Sequence, residues 1–145
     1  MEPVWVLKQA VLAFHDESLA EHGGPAGVRD MDLLESALVR PQNLLAYSEE
    51  EPSLCRMAAA YAYGIASNHP FVDGNKRTAF ITALTFLRLN GLRVIGEMTE
   101  RYLIFYGLAE GTVSESQLAA WFEKNTTPTH SNNLDSTGLI HQIFI

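Results

Sequence analysis

His-Pro-Phe-Val-Asp-Gly-Asn-Lys-Arg-Thr, residues 69–78, lies between two apolar runs at residues 54–66 and 79–89. This alternation predicts a helix, a tight loop and a second helix. A loop that opens a helix presents backbone N–H groups without carbonyl partners, at the positive end of the helix dipole. Such a place binds anions, and phosphate above all. The sequence therefore predicts a phosphate site in this decamer.

The polar residues of the decamer supply the other parts of a phosphate site. Gly74 permits a sharp turn and a close approach of the backbone to a ligand. Asn75 can hydrogen-bond to its own backbone. Lys76 and Arg77 place positive charge beside the anion. Asp73 offers a hard oxygen ligand for a Mg2+ ion that bridges phosphates.

His69 supplies a base, because imidazole titrates near neutrality and can accept the proton of a hydroxyl nucleophile. A single histidine at a helix end is more often an ordinary structural residue. A base, a metal ligand, a glycine turn and two cations in one short loop rarely coincide by chance. Together they indicate phosphoryl or nucleotidyl transfer to a hydroxyl.

The decamer resembles the central motif of the Fic/Doc superfamily, His-x-Phe-x-Asp/Glu-Gly-Asn-x-Arg. It is most similar to the Doc (death-on-curing) branch, in which Asn-Lys-Arg-Thr-Ala is the rule. The resemblance runs over about residues 11–122 and includes Asp30, Leu34-Glu35-Ser36-Ala37, Arg40-Pro41, Tyr47, Phe86-Leu87-Arg88 and Asn90-Gly91. It implies an all-α single-domain fold of about six helices, with a short flap before the central helix.

The resemblance also implies an activity, since Doc proteins are the toxins of type II toxin–antitoxin pairs. It implies ATP and Mg2+ as cofactors, a Phd-like antitoxin as partner, and a threonine of elongation factor Tu as the target, with arrest of translation. Carried over by position, the catalytic residues are His69, Asp73, Lys76 and Arg77, the nucleotide-binding residues are Gly74, Asn75, Lys76 and Arg77, and the metal ligand is Asp73.

Two positions bear on which group is transferred. AMP-transferring Fic proteins carry a second glycine at the position of Lys76 and a second arginine at that of Phe80. Lys76 projects bulk and charge where a phosphate would rest on the backbone, and Phe80 cannot clamp phosphates. In the Doc branch this rearrangement accompanies transfer of the γ-phosphate, which favours a kinase. Pro70 and Gly74 are shared with AMP-transferring relatives, so AMP transfer remains the alternative.

Other classes of protein are less consistent with the sequence. A non-catalytic antitoxin-binding co-repressor would need neither His69 nor Asp73. A P-loop enzyme is excluded, because no Gly-x-x-x-x-Gly-Lys-Ser/Thr motif occurs. The Ser/Thr-x-x-x-Glu-Gly/Asn inhibitory motif of some Fic proteins is also missing, since Tyr106 stands four residues before Glu110-Gly111. We therefore expect restraint in trans, by an antitoxin segment that folds into a groove as a helix.

Length and composition agree with one soluble domain: 145 residues, 47% of them hydrophobic, with a net charge of -7. The negative charge opposes direct nucleic-acid binding and association with anionic membranes. No signal-like segment and no membrane-spanning apolar run are found, so a cytoplasmic location is expected.

The sequence is divided into two parts. Residues 1–124 are predicted to form the Fic/Doc-like domain. Residues 125–145 are predicted to be a polar and then apolar tail, either a frayed or added terminus or a β-pairing segment at residues 139–145.

Apolar spacing and end signals predict the helices. The first is expected at residues 4–19, and the second from Asp30 or Asp32 to Pro41, because the residue before proline avoids helical geometry. Residues 42–52 show no helical period and are expected to be a solvated acidic loop or, as the resemblance implies, the flap that aligns the protein substrate beside the motif by strand-like pairing. A central helix is predicted at Leu54–Asn68, capped by Ser53, and the next helix runs from the decamer to Asn90-Gly91. An extended stretch is expected at residues 92–95. A helix at 97–109 should bury Leu103, Ile104 and Leu108, and a capping box at 114–117 should open the last helix.

A few side chains are interpreted as structural. Phe71 is expected to anchor the loop in the core. The pair His15-Asp16 is interpreted as a structural hydrogen bond, since buried polar groups are usually paired. The single cysteine, Cys55, is interpreted as a buried thiol.

Overall fold

The computed structural model describes residues 2–129, which form six α-helices and a two-stranded sheet. The helices are α1 (Lys8–His22), α2 (Met31–Tyr47), α3 (Leu54–Asn68), α4 (Asn75–Leu89), α5 (Met98–Glu110) and α6 (Glu115–Lys124), and the strands are β1 (Leu92–Val94) and β2 (Thr126–Pro128). The prediction of an all-α fold of about six helices is confirmed. No helix within residues 2–129 is long and apolar enough to cross a membrane.

Helix α3 is the centre of the fold, as its apolar sequence predicts. It packs against α2, α4, α5 and α6, and most of its residues are buried. Small side chains at residues 58–60 let the neighbouring helices approach closely. Ser53 caps the helix as expected, since its Oγ accepts a 3.1 Å hydrogen bond from the Arg56 N–H. A buried, well-packed α3 fixes the position of its C-terminal end, where the decamer begins.

Helix α1 begins at Lys8 rather than at residue 4, so the first predicted boundary is wrong. The preceding segment is extended and its backbone is held by distant side chains. Asn90 receives a 2.8 Å hydrogen bond from the Val4 N–H and donates one of 2.9 Å to the Val4 carbonyl. The Val6 N–H donates to the buried Tyr61 hydroxyl at 3.1 Å. Burial raises the pKa of Tyr61 to about 12. These long-range bonds override the local helical spacing.

Pro41 does not end α2, which continues to Tyr47. Proline inside a helix removes one hydrogen bond and costs about 3 kcal/mol. Packing compensates, because Pro41 is buried and α3 approaches very closely at this turn: a Cβ atom at Gly64 would lie 3.2 Å from Ala37 Cα. Only residues 48–53 between α2 and α3 are therefore non-helical. The flap expected at 42–52 is wrong for residues 42–47.

Helix α5 buries Leu108 as expected and half-buries Ile104, but the expectation for Leu103 is wrong. Leu103 is exposed, and Phe105, Gly107 and Leu108 are buried. The Phe105 ring packs against Phe80 of α4 at 4.5 Å and against Phe122 of α6 at 6.0 Å between centroids. These aromatic contacts between helices set the rotation of α5.

The two strands pair antiparallel, with Leu92 opposite Pro128 and Val94 opposite Thr126. Thr126–Pro128 therefore form a strand inside the segment that was expected to be a frayed or added tail. Cys55 is a buried thiol, as expected, with its Sγ 3.8 Å from Thr126 Oγ1, and burial raises its pKa to about 11. The boundary at 124/125 stays a prediction, and the apolar heptad at 139–145 lies outside the described residues.

Candidate active site between α3 and α4

The decamer forms a tight loop between two helices, as expected. His69 ends α3 in the left-handed conformation with φ 48°, and Gly74 precedes α4 with φ 79°. His69 is exposed and lines a groove of about 510 Å³ between the end of α3, the end of α5 and the start of α6. The base candidate therefore faces a space that a substrate segment can enter.

Asn75 and Phe71 hold the loop in shape. The Asn75 side chain accepts a 2.9 Å hydrogen bond from the Phe71 N–H and donates one of 2.9 Å to the Phe71 carbonyl. The Phe71 side chain is only 1% exposed, which confirms it as the anchor of the loop. Both polar atoms of the Asn75 amide are thus engaged by the loop itself. The second N–H of the Asn75 amide and the backbone N–H of Asn75 are not used by these two bonds.

His15 of α1 braces the same loop from the other side. Its ring stacks on Phe71 at 3.8 Å with 11° between the planes, and it is 2% exposed. His15 Nε2 lies 2.7 Å from the Asp73 carbonyl, and this nitrogen must carry the proton because a carbonyl only accepts. The strong partner of His15 is therefore Asp73, whereas Asp16 Oδ1 lies 4.0 Å from Nδ1.

The Asp73 carboxylate is exposed just before α4. Its Oδ1 accepts a 2.8 Å hydrogen bond from the Gly74 N–H. A Cβ atom at Gly24 would lie 2.6 Å from Asp73 Oδ2, so the glycine provides the room for this oxygen. No cluster of three metal-ligating side chains is found within residues 2–129. A lone exposed carboxylate fits Mg2+ that arrives with phosphates, because this ion commonly takes one or two carboxylates plus phosphate and water oxygens.

The two cations of the loop point in different directions. Arg77 Nε donates a 3.0 Å hydrogen bond to Oγ of Ser18, a fully buried residue of α1. Lys76 instead lies toward α5, with its Nζ 4.7 Å from the Tyr106 ring centroid and 5.7 Å from that of Tyr102. Among residues 2–129, no side chain caps the start of α4. Its first N–H groups are therefore available between the two cations.

A second segment, residues 27–30, runs along the loop. The Val72 N–H donates to the Gly27 carbonyl at 3.1 Å, and the Asp30 N–H donates to the Pro70 carbonyl at 3.0 Å. The Arg29 side chain donates to the His69 carbonyl at 2.7 Å and to the Asn68 carbonyl at 2.9 Å. Strand-like pairing with the decamer thus occurs here, and a cation covers the C-terminal carbonyls of α3.

Comparison with known proteins shows which family the chain resembles. The model of the Fic/DOC family matches residues 5–87. The chain is 37% identical over 111 residues to the "Protein kinase doc" of Escherichia phage P1, an alignment that covers 77% of this chain and 86% of that protein. This chain belongs to the Fic/Doc family. It is also 44% identical over 75 residues to the "Toxin Doc" of Mycolicibacterium smegmatis, covering 52% of this chain and 58% of that protein.

Within this Fic/Doc chain, the structure brings His69, Asp73, Gly74, Asn75, Lys76 and Arg77 together at one loop and helix start. The supporting residues His15, Ser18, Gly24 and Arg29 were missed as parts of the site by sequence reasoning. All four lie inside the segment matched by the family model, whereas the tyrosines beside Lys76 lie beyond it. The positions of these four supporting residues along the chain do not indicate that they contact the decamer.

Proposed function

We propose that this chain is a Doc-type toxin that transfers the γ-phosphate of ATP to a serine or threonine hydroxyl, in a reaction that depends on Mg2+. The proposed target is a threonine of elongation factor Tu, and the proposed result is arrest of translation in the cytoplasm. The observation that carries the proposal is the junction of α3 and α4, where exposed His69 adjoins an uncapped helix start flanked by Asp73 and Arg77. The relative from phage P1 is named a protein kinase, which supports it.

His69 is the proposed base. Its imidazole would accept the proton of the target hydroxyl as the hydroxyl oxygen bonds to the γ-phosphorus and ADP departs. Two features hold it in place: the left-handed backbone conformation and the hydrogen bond from Arg29 to its carbonyl. The groove beside His69 is the proposed entry for the target segment.

The start of α4 is the proposed phosphate site. Its free N–H groups, the helix dipole and the Arg77 guanidinium would hold the phosphate oxygens. Asp73 would hold Mg2+, which supplies neutralisation of phosphate charge when bound. Ser18 holds Arg77 Nε, and the other two guanidinium nitrogens, which make no bond to the described part of the chain, would face the anion.

The surroundings of Phe80 and Lys76 favour phosphate transfer over AMP transfer. The Phe80 ring packs on Phe105 at 4.5 Å and helps to fix α5, so this position has a packing role and carries no phosphate clamp. Lys76 adds a cation beside the helix start where the AMP-transferring branch carries glycine.

The proposal is tested with ATP labelled separately at the α and γ positions, incubated with the purified chain, Mg2+ and a translation extract. Label is expected to reach protein only from γ-labelled ATP. Label that reaches protein only from α-labelled ATP would contradict the kinase proposal and indicate AMP transfer. No label from either, with a folded protein, would favour a non-catalytic antitoxin-binding protein.

Replacing Asp73 with asparagine tests the metal role. Asp73→Asn keeps the shape of the side chain but removes its charge, so we expect a higher Mg2+ requirement and slower ATP turnover together. The measurement is the transfer rate as a function of Mg2+ concentration. Asp32→Asn, an exposed acid on α2, serves as the control and should keep the wild-type curve. An unchanged Mg2+ curve for Asp73→Asn would exclude the metal role.

Replacing Lys76 with glycine tests the choice of phosphate. Lys76→Gly removes one cation and opens space at the helix start, so γ-phosphate transfer is expected to fall. AMP transfer is expected to stay low, because Phe80 provides no clamp. The same two labelled forms of ATP measure both reactions. Undiminished γ-transfer by the variant would show that Lys76 does not serve the phosphate site.

Restraint of the toxin is proposed to come from an antitoxin encoded beside its gene, because one relative is named a toxin and Tyr106 interrupts the inhibitory motif. Because the chain has a net charge of -7, the antitoxin segment that contacts it is proposed to carry basic residues, which would attract it electrostatically. Expression of the chain alone should arrest growth, and co-expression with the neighbouring reading frame should restore it. Harmless expression of a folded chain alone would contradict restraint in trans.

A further inference from the structure

We infer that His15 and Ser18 of α1 are positioning residues for the phosphate-transfer site. His15 sets the direction of the Asp73 carboxylate, and Ser18 sets the direction of the Arg77 guanidinium. The inference rests on the proposed function, because it concerns the residues that would hold Mg2+ and the phosphates. His15 and Ser18 are three residues apart, so they lie on the same face of α1. One helix therefore acts on both sides of the site.

The burial of His15 calls for a role beyond packing. Its side chain is 2% exposed and stacks on Phe71 with 3.8 Å between the ring centroids. Phenylalanine would fill this space without a polar atom, whereas a buried imidazole costs free energy unless its N–H group is paired. The Nε2–H group is paired with the Asp73 carbonyl at 2.7 Å. The hydrogen bond that the histidine donates explains its presence better than the area that it buries.

The peptide unit between Asp73 and Gly74 is held at both of its polar groups. Its carbonyl accepts the hydrogen bond from His15, and its N–H group donates to Asp73 Oδ1 at 2.8 Å. The plane of this peptide determines where the carboxylate points, because the second bond ties Oδ1 to it. Oδ2 points into the space that Gly24 leaves open, where a Cβ atom would lie 2.6 Å from it. His15 therefore orients the proposed metal ligand through the backbone.

Ser18 holds the cation on the other side of the site. Its side chain is fully buried, and its Oγ accepts a 3.0 Å hydrogen bond from Arg77 Nε. A guanidinium that is fixed before the ligand arrives loses less side-chain entropy on binding. The hydroxyl is also a neutral acceptor, so it leaves the positive charge of Arg77 for the anion, whereas a carboxylate at this position would offset that charge.

The two contacts come together at Gly74. A Cβ atom at this glycine would lie 3.5 Å from His15 Cδ2 and 3.7 Å from Arg77 Nη2. The imidazole and the guanidinium thus approach the same point of the backbone, directly before α4. Because α1 packs against α4, it fixes the metal ligand and the phosphate-binding cation relative to each other before a ligand is bound. Such preorganisation suits a Mg2+–nucleotide complex, in which the ion and the phosphate oxygens arrive together.

Calorimetry of ATP binding, in Mg2+ and in EDTA, tests the role of His15 without requiring transfer activity. His15→Phe keeps a ring against Phe71 and removes the donor. Its ATP affinity in Mg2+ should fall by about tenfold or more, the range for loss of a residue that orients a metal ligand. Its ATP affinity in EDTA should equal that of the wild type. His15→Gln loses the ring but keeps an N–H donor, and should recover most of the affinity in Mg2+.

Ser18→Ala should give a different pattern. Loss of Oγ releases Arg77, so the affinity for inorganic tripolyphosphate in EDTA should fall by roughly tenfold, the factor for one charge-assisted hydrogen bond. The gain in ATP affinity from Mg2+ should be unchanged, because the His15 contact remains. Glu17→Gln changes an exposed residue of α1 between the two and is the matched control, with all affinities as in the wild type. Urea denaturation verifies that each variant is folded.

Each role has its own contradicting result. Wild-type ATP affinity in Mg2+ for folded His15→Phe would overturn the role of the donor, and an equal loss in His15→Gln would assign the effect to the ring. If His15→Phe did not fold, His15→Gln alone would decide, since it must keep the affinity in Mg2+. Unchanged tripolyphosphate affinity in Ser18→Ala would overturn the role of Ser18. A wild type whose ATP affinity does not rise with Mg2+ would instead contradict the metal role in the proposed function.

Discussion

Replacing His69 with alanine should leave a folded protein whose transfer rate falls by roughly 10²–10⁴-fold, the usual contribution of a general base. The fold should survive because the His69 side chain is exposed at the end of α3 and accounts for none of the buried core. The loss should appear in turnover, with ATP affinity retained, since the proposed phosphate site lies at the start of α4. Single-turnover transfer and ATP binding by the same variant measure the two effects separately.

Two further variants sharpen the His69 test. His69→Asn provides a side chain that tolerates the left-handed conformation, so it separates loss of the base from backbone strain at φ 48°. It should be as inactive as the alanine variant. Ser67→Ala changes an exposed residue of the same groove and should keep near wild-type activity. Transfer at the wild-type rate by a folded His69→Ala protein would remove histidine from the mechanism.

Phe71→Ala should destabilise the whole protein by about 3–5 kcal/mol, the range for truncation of a buried aromatic residue. The Phe71 ring is almost fully buried and stacks on His15, whose ring nitrogen holds the Asp73 carbonyl. Truncation therefore leaves a cavity and loosens the bracing of the metal-ligand candidate. Because domains are stable by only about 5–15 kcal/mol, a large part of the folded population could be lost at moderate temperature.

Urea denaturation of the wild type and the variant measures this loss. Val72→Ala is the neighbouring control, since Val72 is exposed and its truncation should change stability by no more than about 0.5 kcal/mol. A loss below about 1 kcal/mol for Phe71→Ala would mean that the site collapses around the gap, against the packing described for the loop.

The features predicted correctly from sequence depend on local signals. Ser53 caps α3, and the Ser114 and Gln117 pair forms a capping box at α6. Gly91 follows the end of α4 with a positive φ. The whole set of predicted site residues falls within ten positions, so a loop and two flanking helices were enough to place them together. Local chemistry of this kind is readable in one sequence.

The features that could not be predicted depend on contacts between distant parts of the chain. Pro41 is accommodated in α2 by close packing against α3, and α5 is rotated by aromatic contacts with α4 and α6. Strand β2 exists because β1 offers it a partner. Propensity gives no information about such partners, and tertiary packing overrides it.

The supporting residues of the site were hidden for the same reason. Arg29 is separated by 40 positions from His69, His15 by 58 positions from Asp73, and Ser18 by 59 positions from Arg77. The sequence around each of these side chains contains no motif that indicates a role in the site. Their contacts form only when α1 and the segment at residues 27–30 fold onto the loop.

Mass spectrometry of the modified target tests the central claim most directly. The purified chain is incubated with ATP, Mg2+ and purified elongation factor Tu, and the intact mass and modified peptide of the target are measured. We predict a gain of one phosphate on a threonine, absent with His69→Ala. A gain of one AMP would contradict the account in its chemistry. An unmodified elongation factor Tu, together with phosphorylation of a different protein when the chain is incubated in parallel with a translation extract, would contradict it in its target.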